Sequence, residues 1–108
     1  TDTSYPRYNI VENVDTGNYR IEVAIPGWSK EEIEVVQEKN ELLIKGKKEQ
    51  KLGETERFVH QGLSLKSFER KFIMNTDLKV DFVELKDGLL TIALSRTPNS
   101  NRKVLDIK

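Results

Sequence analysis

Asp15-Thr16-Gly17 has the residue types and spacing of the loop that carries the catalytic carboxylate of an aspartic protease. That chemistry needs two carboxylates that share one proton and activate a water between them, so a chain of 108 residues with one such motif would have to pair with its own copy. The neighbouring residues argue against it. Asn18 follows the glycine where the protease pattern has Ser or Ala, and no later apolar-apolar-glycine strand supplies the crossing that supports such a loop. Asp and Asn side chains bond local backbone and Gly and Asn tolerate positive φ, so Asp15 to Asn18 is expected to be a turn between strands.

Other candidate chemistry is thin. His60 is the only histidine and there is no cysteine, so neither a sulfur ligand nor a thiolate nucleophile is available. Gly46-Lys47 has Glu41 where a phosphate-cradling loop needs glycine five residues before its own, so no nucleotide site is expected. The many carboxylates alternate with Lys and Arg, as on the solvated face of a sheet. The chain is read as no enzyme, with no cofactor and no metal, and a dimeric aspartic protease is the enzyme alternative.

Lys plus Arg is 18 and Asp plus Glu is 18, so no net field attracts nucleic acid or an anionic membrane, and neither is expected as a partner. No apolar run approaches the roughly 20 residues that cross a bilayer, and no signal-peptide pattern opens the chain. With no cysteine the chain suits a reducing compartment, and a cytoplasmic location is expected.

The elements are short. "NYRIEVAI" alternates, with Tyr19, Ile21, Val23 and Ile25 on one face, and "YNIVEN" before it is a more polar strand. Pro26-Gly27 ends the first of these, and Ser29-Lys30-Glu31-Glu32 has the form of a capping box for one helical turn. "IEVVQEK" and "ELLIKGK" read as strands joined at Lys39-Asn40, and "KKEQKLGETER" as a charged loop leading to a short strand, "FVHQG". In "LKSFERKFIM", Phe68, Arg70 and Phe72 share a face, which leaves Arg70 in need of a partner. "VDFVEL" and "LLTIAL" flank Lys86-Asp87-Gly88, a strong hairpin signal. About seven or eight short strands with no long helix argue for an all-β fold, an antiparallel immunoglobulin-like β-sandwich followed by a short C-terminal tail.

Four features together resemble the α-crystallin domain of small heat-shock proteins, in the bacterial and plant branch: "AIPGW", "SFERKF", "ELKDGLLTIAL", and a polar tail ending in Leu105-Asp106-Ile107. The family pattern Ala-x-x-x-Asn-Gly-x-Leu is met by Val83 to Leu90, with Val83 for the alanine and Asp87 for the asparagine. The resemblance implies residues 1–7 as the remnant of an N-terminal arm, 8–96 as the α-crystallin domain and 97–108 as a C-terminal extension. It also implies an ATP-independent holdase that binds partly unfolded clients and assembles from dimers into larger oligomers. A co-chaperone of related sandwich fold is the alternative.

The site residues follow from the same resemblance. Leu105 and Ile107 would be the oligomerisation anchor, received in a groove whose walls are Ile33, Val35, Val83 and Leu85, unless these four are ordinary sandwich core. Arg70 matches the dimer-associated arginine. The loop from Lys47 to Gln61 would carry Arg57, Phe58 and Val59 to the first strand of another subunit, near Ile10 and Val11, or else fold back on its own subunit.

Overall fold

Tight turns and period-two patterning set the architecture. The computed structural model describes residues 5–48, 51–63, 66–74, 77–96 and 107, and among these the strands are β1 (Tyr8–Glu12), β2 (Tyr19–Ala24), β3 (Ile33–Glu38), β4 (Glu41–Gly46), β5 (Phe68–Ile73), β6 (Leu78–Lys86) and β7 (Leu89–Arg96). One antiparallel sheet has the order β1-β2-β7-β6 and the other β3-β4-β5. The core between them is Ile21, Val23 and Ile25, Leu42 and Ile44, Phe72 and Met74, and Leu90, Ile92 and Leu94, with Trp28 at one end. Each strand run contributes every second residue, as a pleated ribbon buried on one face must. The expected all-β sandwich is the fold observed.

The turns explain where strands stop. Between β1 and β2, Asn13 Oδ1 accepts from the N–H groups of Asp15 (3.0 Å) and Thr16 (3.2 Å), while Asn13 N–H donates to the Asn18 carbonyl at 2.8 Å. Asp15 is thus a turn residue, and Asn13 is the side chain that organises it. Asp87 and Gly88 both have positive φ, 54° and 78°, the geometry of a two-residue hairpin turn that matches strand twist. At the start of β3, residues Lys30–Glu32 form a single 3₁₀ turn, and Ser29 N–H donates to the Glu32 carboxylate at 2.9 Å, the half of the expected capping box made by the acid.

Two expectations are corrected. No strand forms at "FVHQG": residues 51–63 are irregular, with Val59 95% exposed. A strand needs an edge that supplies hydrogen-bond partners, and no strand among the described residues pairs with this one. The strand read as "VDFVEL" begins earlier, at Leu78, and is interrupted by a β-bulge between Val80 and Phe82. The expected C-terminal extension lies outside the described residues, except for Ile107, which is 99% exposed.

At the junction of β4 and β5, Gly46 lies under Phe68. A Cβ on Gly46 would stand 2.3 Å from the Phe68 ring, so the close approach requires glycine.

Candidate strand-binding groove

In strand order, β3 ends one sheet and β6 ends the other, and the sandwich is open between them. Alternation turns Ile33 and Val35 of β3 toward Val83 and Leu85 of β6, so these four side chains line one groove of about 280 Å³. Buried Leu90 completes the lining together with Lys30. The walls are only partly covered: Val83 is 43% exposed, and the other three are of intermediate burial. All four residues named from the sequence as walls therefore meet at one place. Leu90 and Lys30 were not named; the final leucine of the Val83–Leu90 pattern was the available signal for the first.

The lip of the groove is held by the 3₁₀ turn. Lys48 Nζ donates to Glu32 Oε1 (2.9 Å) and to the Gly27 carbonyl (2.8 Å), and sits 5.3 Å from the Trp28 ring centre. Ser29 N–H and the Lys48 ammonium both favour the charged carboxylate, so the Glu32 carboxyl titrates below the usual range. These contacts fix the point at which the chain enters β3, and hence which face Ile33 and Val35 present.

The opposite side is arranged differently. Arg70 Nη2 donates to the Pro6 carbonyl at 3.0 Å and its guanidinium lies 4.9 Å from the Tyr8 ring centre. Tyr8 packs edge-on against Phe72 at 5.0 Å, Tyr5 edge-on against Phe68 at 5.7 Å, and Trp28 Nε1 donates to the Tyr5 hydroxyl at 2.9 Å. The lead-in from Tyr5 to Tyr8 therefore meets each inward-facing residue of β5 in turn. Sequence reasoning found that Arg70 needed a partner but missed Pro6 and Tyr8, which lie too far away in sequence to be suggested by any local pattern.

Beyond Tyr8 a smaller cleft of about 210 Å³ is lined by residues that include Ile10, Phe72, Ile73 and Met74. Ile10 and Val11 lie on β1, which ends its sheet; Arg57, Phe58 and Val59 lie in the exposed loop and are not brought to β1 within the subunit. Among the described residues no group of acidic, His or Cys side chains could hold a metal, and no helix is long and apolar enough to cross a membrane.

Comparisons with known proteins agree with this fold. The chain is 37% identical over 92 residues to the small heat shock protein IbpA of Yersinia pestis (strain Pestoides F), a match covering 85% of this chain and 66% of that relative's length. A small heat shock protein from Synechococcus phage S-ShM2 superposes with a TM-score of 0.73 at 34% identity, covering 96% of this chain and 98% of the other. A C-terminally truncated form of the small heat shock protein AgsA from Salmonella typhimurium superposes with a TM-score of 0.76 at 26% identity, covering 95% and 97%. A sequence profile described as the Hsp20/alpha crystallin family matches residues 11–108, a span that includes all seven strands but the start of β1, and the chain belongs to that family.

Proposed function

We propose that the chain is a cytoplasmic, ATP-independent holdase that captures partly unfolded proteins and assembles through its own exposed edges. The observation that carries this reading is the groove between β3 and β6. Two strands that each end a sheet flank four aliphatic side chains, so an extended segment can gain hydrogen bonds along an edge and place alternate side chains in the groove. The tail fits that requirement. Leu105 and Ile107 are two residues apart, so in an extended chain they project to the same side, and in this reading they enter the groove of another copy. Client segments with the same apolar spacing compete for it.

Dimers form, in this reading, when Arg57, Phe58 and Val59 of one copy add to the outer edge of β1, at Ile10 and Val11, of another. The exposure of Phe58 and Val59 in this loop supports the reading. Arg70 assists by fastening Pro6 and Tyr8, and so the receiving strand, to β5. Light scattering from a thermally unfolding client, with no nucleotide present, tests the function. Suppression near one subunit per client is expected, and unaltered aggregation at several-fold excess overturns the proposal.

A further inference from the structure

The apolar residues of β6 change parity along the strand. Leu78 and Val80 pack against the core at even positions, whereas further along the inward face passes to odd ones, where Leu85 packs against the core and lines the groove with Val83. A regular strand cannot do this, because alternate residues share a face. The ladder to β7 resolves the conflict: Val80 lies opposite Leu94 and Phe82 opposite Ala93, so Asp81 is an extra residue, a β-bulge. Asp81 Oδ1 accepts a hydrogen bond from Ser95 Oγ at 2.9 Å. We propose that Asp81 and Ser95 are positioning residues that pin this bulge, and so select Val83 and Leu85 instead of Phe82 and Glu84 as the β6 wall of the groove. The role in binding rests on the groove function proposed above.

A pin is needed because a second register competes. If the extra residue moved from Asp81 to Glu84, the pairs Val80–Leu94 and Leu85–Leu90 and the Asp87-Gly88 turn would all be kept. Phe82 would then stand opposite Ile92 and face inward, and Val83 opposite Thr91 and face out. Phe82 is 55% exposed in the observed register, so apolar burial by itself does not favour what is seen. The shifted register would fill the groove with a phenyl ring and close it. It would also move Asp81 one place along β7, opposite Ala93 and away from Ser95. The carboxylate–hydroxyl bond therefore favours the register in which the groove is open.

The chain has no cysteine, so engineered pairs report the register in the full-length protein. Glu84 is opposite Thr91 in the observed ladder, and Glu84→Cys with Thr91→Cys is expected to form a disulfide. Val83→Cys with Thr91→Cys, on opposite faces, is not. In an Asp81→Ala/Ser95→Ala background the trap is expected to switch to the second pair, and the affinity for a "VLDIK" peptide to fall at least about tenfold. Asp81→Asn, which keeps an acceptor, is expected to retain the first trap; should the double variant not fold, Ser95→Ala alone makes the same comparison. Persistence of the Glu84/Thr91 disulfide in the variant background overturns the proposal. Absence of peptide binding to the parent protein sinks the groove function instead, while the traps still decide the register.

Discussion

Along β5 the chain covers itself: Tyr5, Pro6 and Tyr8 engage Phe68, Arg70 and Phe72, and Trp28 donates to the Tyr5 hydroxyl. Along β3 and β6 it does not, and Ile33, Val35, Val83 and Leu85 face one another across an open groove. Both sides are made of the same material, alternating strands that end a sheet. The difference is that one side is given aromatic and cationic partners from its own sequence, while the other keeps half-covered aliphatic surface beside edge strands and is bridged by one side-chain bond, from Gln37 Nε2 to the Leu78 carbonyl at 3.5 Å. If the proposed groove function holds, stability and recognition fall on opposite flanks of one small domain, and substitutions should separate them.

The largest expected effect is on the closed side. Trp28 is 6% exposed and contacts Phe68, Tyr5 and Lys48, so Trp28→Ala should destabilise the fold by about 3–5 kcal/mol, the usual cost of emptying a buried aromatic site. Denaturant unfolding measures it, and a loss below 1 kcal/mol would mean that the closed flank is not what holds the domain. Next in size, Leu105→Ala with Ile107→Ala in the tail should weaken its binding to the groove about 100-fold, from roughly 1.5 kcal/mol lost per truncated side chain. Size-exclusion chromatography with light scattering should then show smaller assemblies. Because several tails act together in a closed assembly, the shift in size should be steep, while the melting temperature stays nearly constant. A large fall in melting temperature would place these two residues in the subunit's own core and erase the contrast between flanks.

The smallest effect concerns Glu32, which stands between the flanks through Lys48 and Trp28. Its folded-state pKa lies below the unfolded value, so its contribution is complete above the ordinary glutamate pKa of about 4.3 and is lost as pH falls through the lowered folded value. Glu32→Gln should therefore lower the melting temperature slightly at neutral pH, and the difference from the parent protein should vanish in acid. A difference that persists at pH 3 would trace the effect to packing and not to charge.

Turns and faces were legible in the sequence because their causes are local. Asp87-Gly88 can adopt the positive φ angles its hairpin needs, Ser29 and Glu32 are spaced to bond each other, and Ile21, Val23 and Ile25 alternate. The four groove walls were legible for a related reason, since alternation within β3 and β6 put each pair on one face, although only the family resemblance set the two strands side by side. What was not legible needs distant information. Arg70 and Pro6 come together only after both sheets form, and no spacing rule joins them. The bulge at Asp81 leaves one trace, the odd interval between Val80 and Val83, which has no meaning until β7 fixes the pairing. The segment at Phe58 has the composition of a strand, but composition does not provide an edge.

Gly46 and Phe68 carry a consequence for descent. Because the Phe68 ring occupies the space of a Cβ at position 46, the two sites cannot vary independently. A lineage that acquires even alanine at 46 must displace the Phe68 ring or accept a smaller residue at 68, and either loosens the ring contacts that Phe68 makes with Tyr5 and Trp28. Drift through this corner of the molecule is confined to a narrow order of steps. Covariation between positions 46 and 68 across relatives is the record it should leave.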